Sequence, residues 1–283
     1  MKLPLTTKII SVDLKIIDMQ RSLEFYSDLL GLIILERGDN YTLLSAGNST
    51  PYLLKLVEDV NALPRSKGTT GLFHIALRFP GRKELARVFL RLFKNKIKFQ
   101  GFSDHLVSES IYLSDPDGNG IELYSDKPKD IWDWKFGQVL MDTLPLDLSI
   151  ITNELDDPEI WNGIHPDVDI GHIHFNVSNL NESERFYNEI LGFDITNKNY
   201  PGAIFFSAGG YHHHIGVNIW SSNNGASPDN NSTGLMNCTI RIPDKSFLSS
   251  IEARAKEYNI ITNLQENILQ LQDPDNNKII LTV

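Results

Sequence analysis

Six of the eight histidines in this 283-residue chain fall in three short stretches with strand-like patterning. His74 lies in LFHIALRF, His172 and His174 in GHIHFNV, and His212, His213 and His214 in YHHHIGVNIW; His105 stands in the polar stretch SDHLVSES. Imidazole is the side chain best suited to gain and lose a proton near neutral pH, and it is the commonest metal ligand. Glu122 sits between Ile121 and Leu123 in GIELY. An ionised carboxylate inside an apolar strand is costly unless it is paired or metal-bound. Alternation along a strand puts His172 and His174 on one face and Tyr124 on the face of Glu122; it also parts His212 and His214 from His213. Each residue has a plainer reading as well. His74 fits a hydrogen-bonded core position, Glu122 a solvent-facing strand position, and the triple histidine a surface run. Cys238 is the only cysteine, so neither an internal disulfide nor a Cys-based zinc site can form, and it reads as a small buried hydrophobe.

Composition narrows the setting for this chemistry. With 26 basic and 36 acidic residues the net charge is −10, which excludes an electrostatic nucleic-acid binder. Apolar residues make up 41%, enough for ordinary cores. No run of 18 apolar residues exists, so no membrane span is expected. MKLPLTTKIISVDL has no apolar segment followed by a small-residue cleavage site, so the expected location is cytoplasmic. The length suggests about two domains.

The elements that must carry these residues repeat. RSLEFYSDLLGL at 21–32 is answered by ESERFYNEILGF at 182–193, and LSAG at 44–47 by FSAG at 206–209. DPDGN at 115–119 is answered by DPDNN at 273–277, at nearly the same offset of about 160 residues. Within each copy the order strand, helix, three short strands occurs twice. Periodicity predicts strands at 9–17, 72–79, 170–177 and 235–242, each followed by a helix, at 19–30, 82–95, 181–191 and 246–258. The chain therefore reads as an α+β protein of four βαβββ modules of about 60 residues each. Modules one and two fill an N-terminal domain, 1–126, and modules three and four a C-terminal domain, 169–283. Segment 127–168, with Trp132, Trp134 and Trp161, reads as a packed connector.

The motifs RSLEFYSDLLGL, ESERFYNEILGF, GLFHIALRF and YLSDPDGNGIELY resemble those of the vicinal-oxygen-chelate superfamily, which includes glyoxalase I, bleomycin-resistance proteins and type I extradiol dioxygenases. The two-domain layout and YHHHIGVNIW are similar to bacterial catechol-2,3-dioxygenase-like proteins. The resemblance implies two cup-shaped mixed sheets, with a ligand at the start of a module's first strand and another on its last. Modules one and four are empty at those positions: Ser11 and the stretch near Tyr52 to Lys55 in one, Asn237 and Ile280 in the other. Modules two and three hold His74, Glu122 and His172. Pairing the inner modules thus gives two histidines and one carboxylate, the set that suits non-haem Fe(II) with open positions; Mn(II) is the second metal to consider. The implied substrates are a catechol-like ring, chelating through two vicinal oxygens, and O2. His214, matching the second histidine of the family pair, is the expected acid–base group. His174, His105 and Tyr124 are expected to line the pocket. The alternatives are a glyoxalase- or lyase-type metalloenzyme and a non-catalytic aromatic- or antibiotic-binding protein. A homo-oligomer is possible through module edges.

Overall fold

A computed structural model describes residues 2–48, 51–155 and 161–283. Residues 156–160 of the expected connector lie outside the described residues. Module one contributes β1 (Lys8–Ile16), β2 (Ile33–Arg37), β3 (Tyr41–Ser45) and β4 (Leu54–Glu58), with α1 (Met19–Leu23) after β1. Module two contributes β5 (Gly71–Phe79), α2 (Arg82–Lys94), β6 (Gly101–Asp104), β7 (Ser108–Ser114) and β8 (Gly120–Asp126). The connecting segment adds three two-residue strands, β9 (Trp134–Lys135), β10 (Gln138–Val139) and β11 (Leu144–Pro145), and α3 (Leu148–Thr152). Module three has β12 (Asp169–Asn176), α4 (Leu180–Glu184), β13 (Asp194–Asn197), β14 (Ala203–Ser207) and β15 (Ile215–Asn218). Module four has β16 (Gly234–Arg241), α5 (Lys245–Glu257), β17 (Asn263–Gln265), β18 (Ile268–Gln272) and β19 (Lys278–Thr282).

The strands form two large mixed sheets. One runs β17-β18-β19-β16-β1-β4-β3-β2, the other β11-β6-β7-β8-β5-β12-β15-β14-β13. The seam of the first is the antiparallel pair β1–β16, and that of the second is β5–β12. Within one chain, then, module one shares a sheet with module four, and module two with module three. The long helices cover the sheets with amphipathic faces. α2 buries Leu85, Val88, Phe89 and Leu92, and α5 buries Leu248, Ile251 and Ala255. Most buried apolar side chains join one continuous core. A smaller core gathers Trp132, Val139 and Met141 of the connecting segment with Phe205 and Tyr211. Trp134 is exposed, unlike Trp132.

The repeated FY and DPD motifs explain each other. Both α1 and α4 run into a wider π-helical turn, Glu24–Leu29 and Arg185–Ile190, where Leu30 N–H donates to Phe25 C=O and Leu191 N–H to Phe186 C=O. The tyrosines of these turns are fully buried, and each donates to a turn aspartate: Tyr26 to Asp115 at 2.9 Å, Tyr187 to Asp273 at 2.8 Å. Asp273 Oδ1 also accepts the backbone N–H groups of Asp275 and Asn277. These clasps join modules one to two and three to four, so the sequence halves are tied by turns while the sheets pair across them.

Burial pushes the Asp273 carboxyl up to about 6, against the opposing pull of its Asn277 and Tyr187 hydrogen bonds. A raised carboxyl pKa favours the fold fully at low pH, and the contribution is lost as pH rises through about 6. Tyr187→Phe removes a donor that favours the ionised form. Chemical denaturation should show a loss of about 1–2 kcal/mol, larger at pH 8 than at pH 5.

Candidate metal centre

β5 and β12 bring His74 and His174 opposite each other as direct partners, with His172 beside them facing Ala76. On the other side of β5, the parallel strand β8 sets Glu122 against Ala76. Three adjacent strands therefore place His74, Glu122 and His172 within one small space. The His74 Nε2 to Glu122 Oε2 distance is 2.9 Å and the His172 Nε2 to Glu122 Oε2 distance 3.1 Å, with all three ligand atoms within 4.8 Å of one another. All three side chains are buried. The other carboxylate oxygen accepts from Ser110 Oγ on β7 at 2.7 Å, which orients the head group.

The fit to a divalent metal rests on direction as much as distance. His74 Nε2 is buried and, although close to the carboxylate, makes no hydrogen bond. A nitrogen that neighbours a carboxylate without aiming at it is what convergence on a shared central point produces. The charge states agree. Burial holds the His172 imidazole neutral down to about 4. Burial would raise the Glu122 carboxyl, but the facing His172 and His74 rings outweigh that and hold it well below the usual range. Two neutral imidazoles and one carboxylate suit Fe(II), Mn(II) and related ions.

The centre lies in a cavity of about 320 Å³. That is at the small end of ligand pockets, which span about 300–1,000 Å³. Phe73, Tyr200, Phe205 and Trp220 supply flat aromatic walls. His174 is part of them, 5.2 Å from Phe73 and 5.7 Å from Trp220 between ring centroids, with a buried Nε2 that has no partner. His105 also reaches the cavity, where Nε2 meets Tyr112 Oη at 2.6 Å and Nδ1 meets the Asp142 carbonyl at 2.7 Å.

Two expectations need correction. His214 does not lie beside the triad. Its Nδ1 accepts from the Ala208 N–H at 3.2 Å and contacts Ser207 Oγ at 3.0 Å, and its ring faces a separate cavity near Leu5, Thr7 and Arg78. His213 occupies the expected place: its ring lies 4.0 Å from that of His172 and lines the main cavity. Period-2 alternation does not hold at His212, His213 and His214, because β15 begins only at Ile215. Tyr124 likewise misses the cavity. It is wedged against Gly171, and its hydroxyl pairs with that of Tyr211 at 2.8 Å.

Tyr112 escaped the sequence reading although it was within reach. The DPDGN turn joins β7 to β8, and its register sets Tyr112 directly across from Glu122. Burial first, and then the Glu122 charge, raise its phenol well above the ordinary value, so it stays protonated and able to donate.

A mixed-sheet fold of paired βαβββ modules around a His, His, Glu centre defines a class, and the sequence matches it. Residues 8–123 and 169–240 match the Glyoxalase/Bleomycin resistance protein/Dioxygenase superfamily, and the chain belongs to that family. Among individual relatives it is 41% identical over 266 residues to the catechol-2,3-dioxygenase of Bacillus subtilis (strain 168), covering 92% of each chain. It is 29% identical over 119 residues to biphenyl-2,3-diol 1,2-dioxygenase 3 of Rhodococcus globerulus, covering 41% of this chain and 63% of that one. The fold superposes on glyoxalase I from Zea mays with a TM-score of 0.61 at 15% identity, over 98% of this chain and 92% of that chain. Among the described residues no helix is long and apolar enough to cross a membrane.

Proposed function

We propose that His74, His172 and Glu122 hold Fe(II), with Mn(II) as the alternative metal, and that the protein opens the ring of a catechol-type substrate with O2 at the bond beside the diol. The protein is an enzyme of the dioxygenase branch of its family, in keeping with the relative that is 41% identical over most of its length. The observation that carries the substrate reading is a two-histidine, one-carboxylate set at the wall of a small cavity lined with aromatic rings. When bound, the metal would acidify the diol and hold it next to O2.

The chain's own residues supply the rest. The aromatic walls fit a planar ring and exclude water from it. Burial keeps the His213 imidazole well below its ordinary value and therefore neutral, able to take a proton from a substrate hydroxyl. The protonated Tyr112 phenol donates to His105 Nε2, whose Nδ1–H is taken by the Asp142 carbonyl, and so presents its oxygen lone pairs to the cavity as an acceptor for a substrate hydroxyl.

Oxygen uptake by Fe(II)-loaded, reduced protein with catechol and substituted catechols, together with a yellow ring-opened product, tests this. No turnover across the series would sink it, and so would stoichiometric Zn or Ni in the purified protein. The glyoxalase-type alternative calls for a further carboxylate, and among the described residues the cluster has one. His213→Phe should lower kcat about 10²- to 10⁴-fold with metal content unchanged, the range for losing a positioned acid–base group. His214→Gln should leave kcat within about 3-fold, because that ring faces away from the cavity.

A further inference from the structure

Behind His213 a buried hydrogen-bond chain leads away from the cavity. His213 Nδ1 lies 2.7 Å from His212 Nδ1, and His212 Nε2 lies 2.9 Å from Asp126 Oδ1. His212 is fully buried. Asp126, the last residue of β8, also accepts from the Tyr211 hydroxyl at 3.0 Å and from Arg78 Nη1 at 3.4 Å. Arg78 is held in turn by Asp169 at 2.7 and 3.0 Å. None of these residues is a metal ligand, and none touches the metal-centre cavity except His213.

We propose that Asp126 and His212 are positioning residues that fix the tautomer of His213. This rests on His213 being the acid–base group of the reaction proposed above. A carboxylate can only accept, so His212 presents Nε2–H to it. In neutral His212 the other nitrogen, Nδ1, is then an acceptor. The short Nδ1 to Nδ1 contact therefore needs the proton on His213 Nδ1. That leaves His213 Nε2, on the far side of the ring, as the lone pair available to substrate. The logic is that of an aspartate orienting a catalytic imidazole, with a second imidazole inserted between them.

Asp126→Asn reverses the chain without changing its shape. The Arg78 guanidinium only donates, so it takes the amide oxygen and turns the amide NH2 toward His212. His212 must then accept at Nε2 and donate from Nδ1, which moves the proton of His213 to Nε2. The expected result is a kcat loss of about 10- to 100-fold, the usual effect of removing a partner that orients a working imidazole, with KM and metal content unchanged. In a His213→Phe background the same change should cost less than about 2-fold, since the two act as one unit. Equal losses in both backgrounds would show a merely structural role and overturn the proposal. So would full activity of Asp126→Asn. His212→Gln, which breaks the bridge at its centre, gives the same comparison if Asp126→Asn does not fold.

Two-bond ¹H–¹⁵N spectra of metal-free, ¹⁵N-histidine-labelled protein read the tautomer directly, with His213 assigned by its absence in His213→Phe. Nδ1–H in the parent and Nε2–H in Asp126→Asn are expected; Nε2–H in the parent overturns the assignment. If His213→Phe keeps full activity, the acid–base reading fails and the kinetic role of the relay fails with it. The spectrum then still reports whether the chain orders the ring.

Discussion

Glu122→Gln should abolish metal binding and ring opening together, leaving less than about 0.1% of the parent activity. The change is nearly isosteric, and Gln still accepts from Ser110, so the fold should survive. What disappears is the only negative charge in the set. Two neutral imidazoles and a neutral amide leave a divalent ion with its full +2 charge in a buried site, where charge goes uncompensated by water. The measurement is metal content by elemental analysis alongside oxygen uptake. A second readout is thermal. A metal that binds only the folded protein stabilises it by about 2.7 kcal/mol at 100 times its Kd. Adding Fe(II) or Mn(II) without oxygen should therefore raise the Tm of the parent and leave that of the variant where it was. Stoichiometric metal in Glu122→Gln would remove Glu122 from the ligand set.

Gly120→Ala should unfold the site from the strand side. Gly120 pairs with His74 in the parallel β5–β8 ladder. A Cβ there would sit 2.1 Å from the Phe73 carbonyl oxygen and 3.0 Å from His74 Cβ. The first obstacle is backbone and cannot rotate aside, so the strands must part. The cost should be about 3 kcal/mol or more, at the upper end for overpacking, read as a lower midpoint in urea. Parting β8 from β5 also draws Glu122 away from His74, so metal content should fall even in protein that remains folded. Gly118→Ala is the control. Nothing lies within 4 Å of its Cβ, but its φ is +85°, so it should cost only about 1 kcal/mol and leave metal content intact. Equal behaviour of the two variants would show that close packing at the ladder is unimportant.

Local rules carried the sequence reading a long way. Periodicity and the repeated FY, LG and DPD motifs set four modules in the right order, because each motif answers a local demand: a helix end, a tight turn, an alternating strand. The ligand positions that the family resemblance implies picked out His74, Glu122 and His172, which the structure brings together. The same rules failed where a residue lay just outside a regular element. Residues 211–214 run as irregular chain into β15, so period-2 alternation had nothing to act on there. Tyr124 obeys alternation on β8 yet is captured by a partner on another module, Tyr211.

By itself, then, the sequence determined the module order, the strand and helix patterns, and the types of group available for a metal: two imidazoles and a carboxylate in apolar strands. Only the tertiary structure decided that the two inner modules pair within one chain, and which of the neighbouring side chains reach the cavity. The β5–β12 seam unites ligands from both sequence halves, a non-local pairing that no short window of residues encodes. The turn before β15 chooses His213 over His214 for the cavity, and Asp126, from another module, reaches His212 behind it. Side-chain types and periodicities are properties of neighbours in the chain. Convergence on a point depends on long-range packing, which brings together residues some 50 to 90 positions apart.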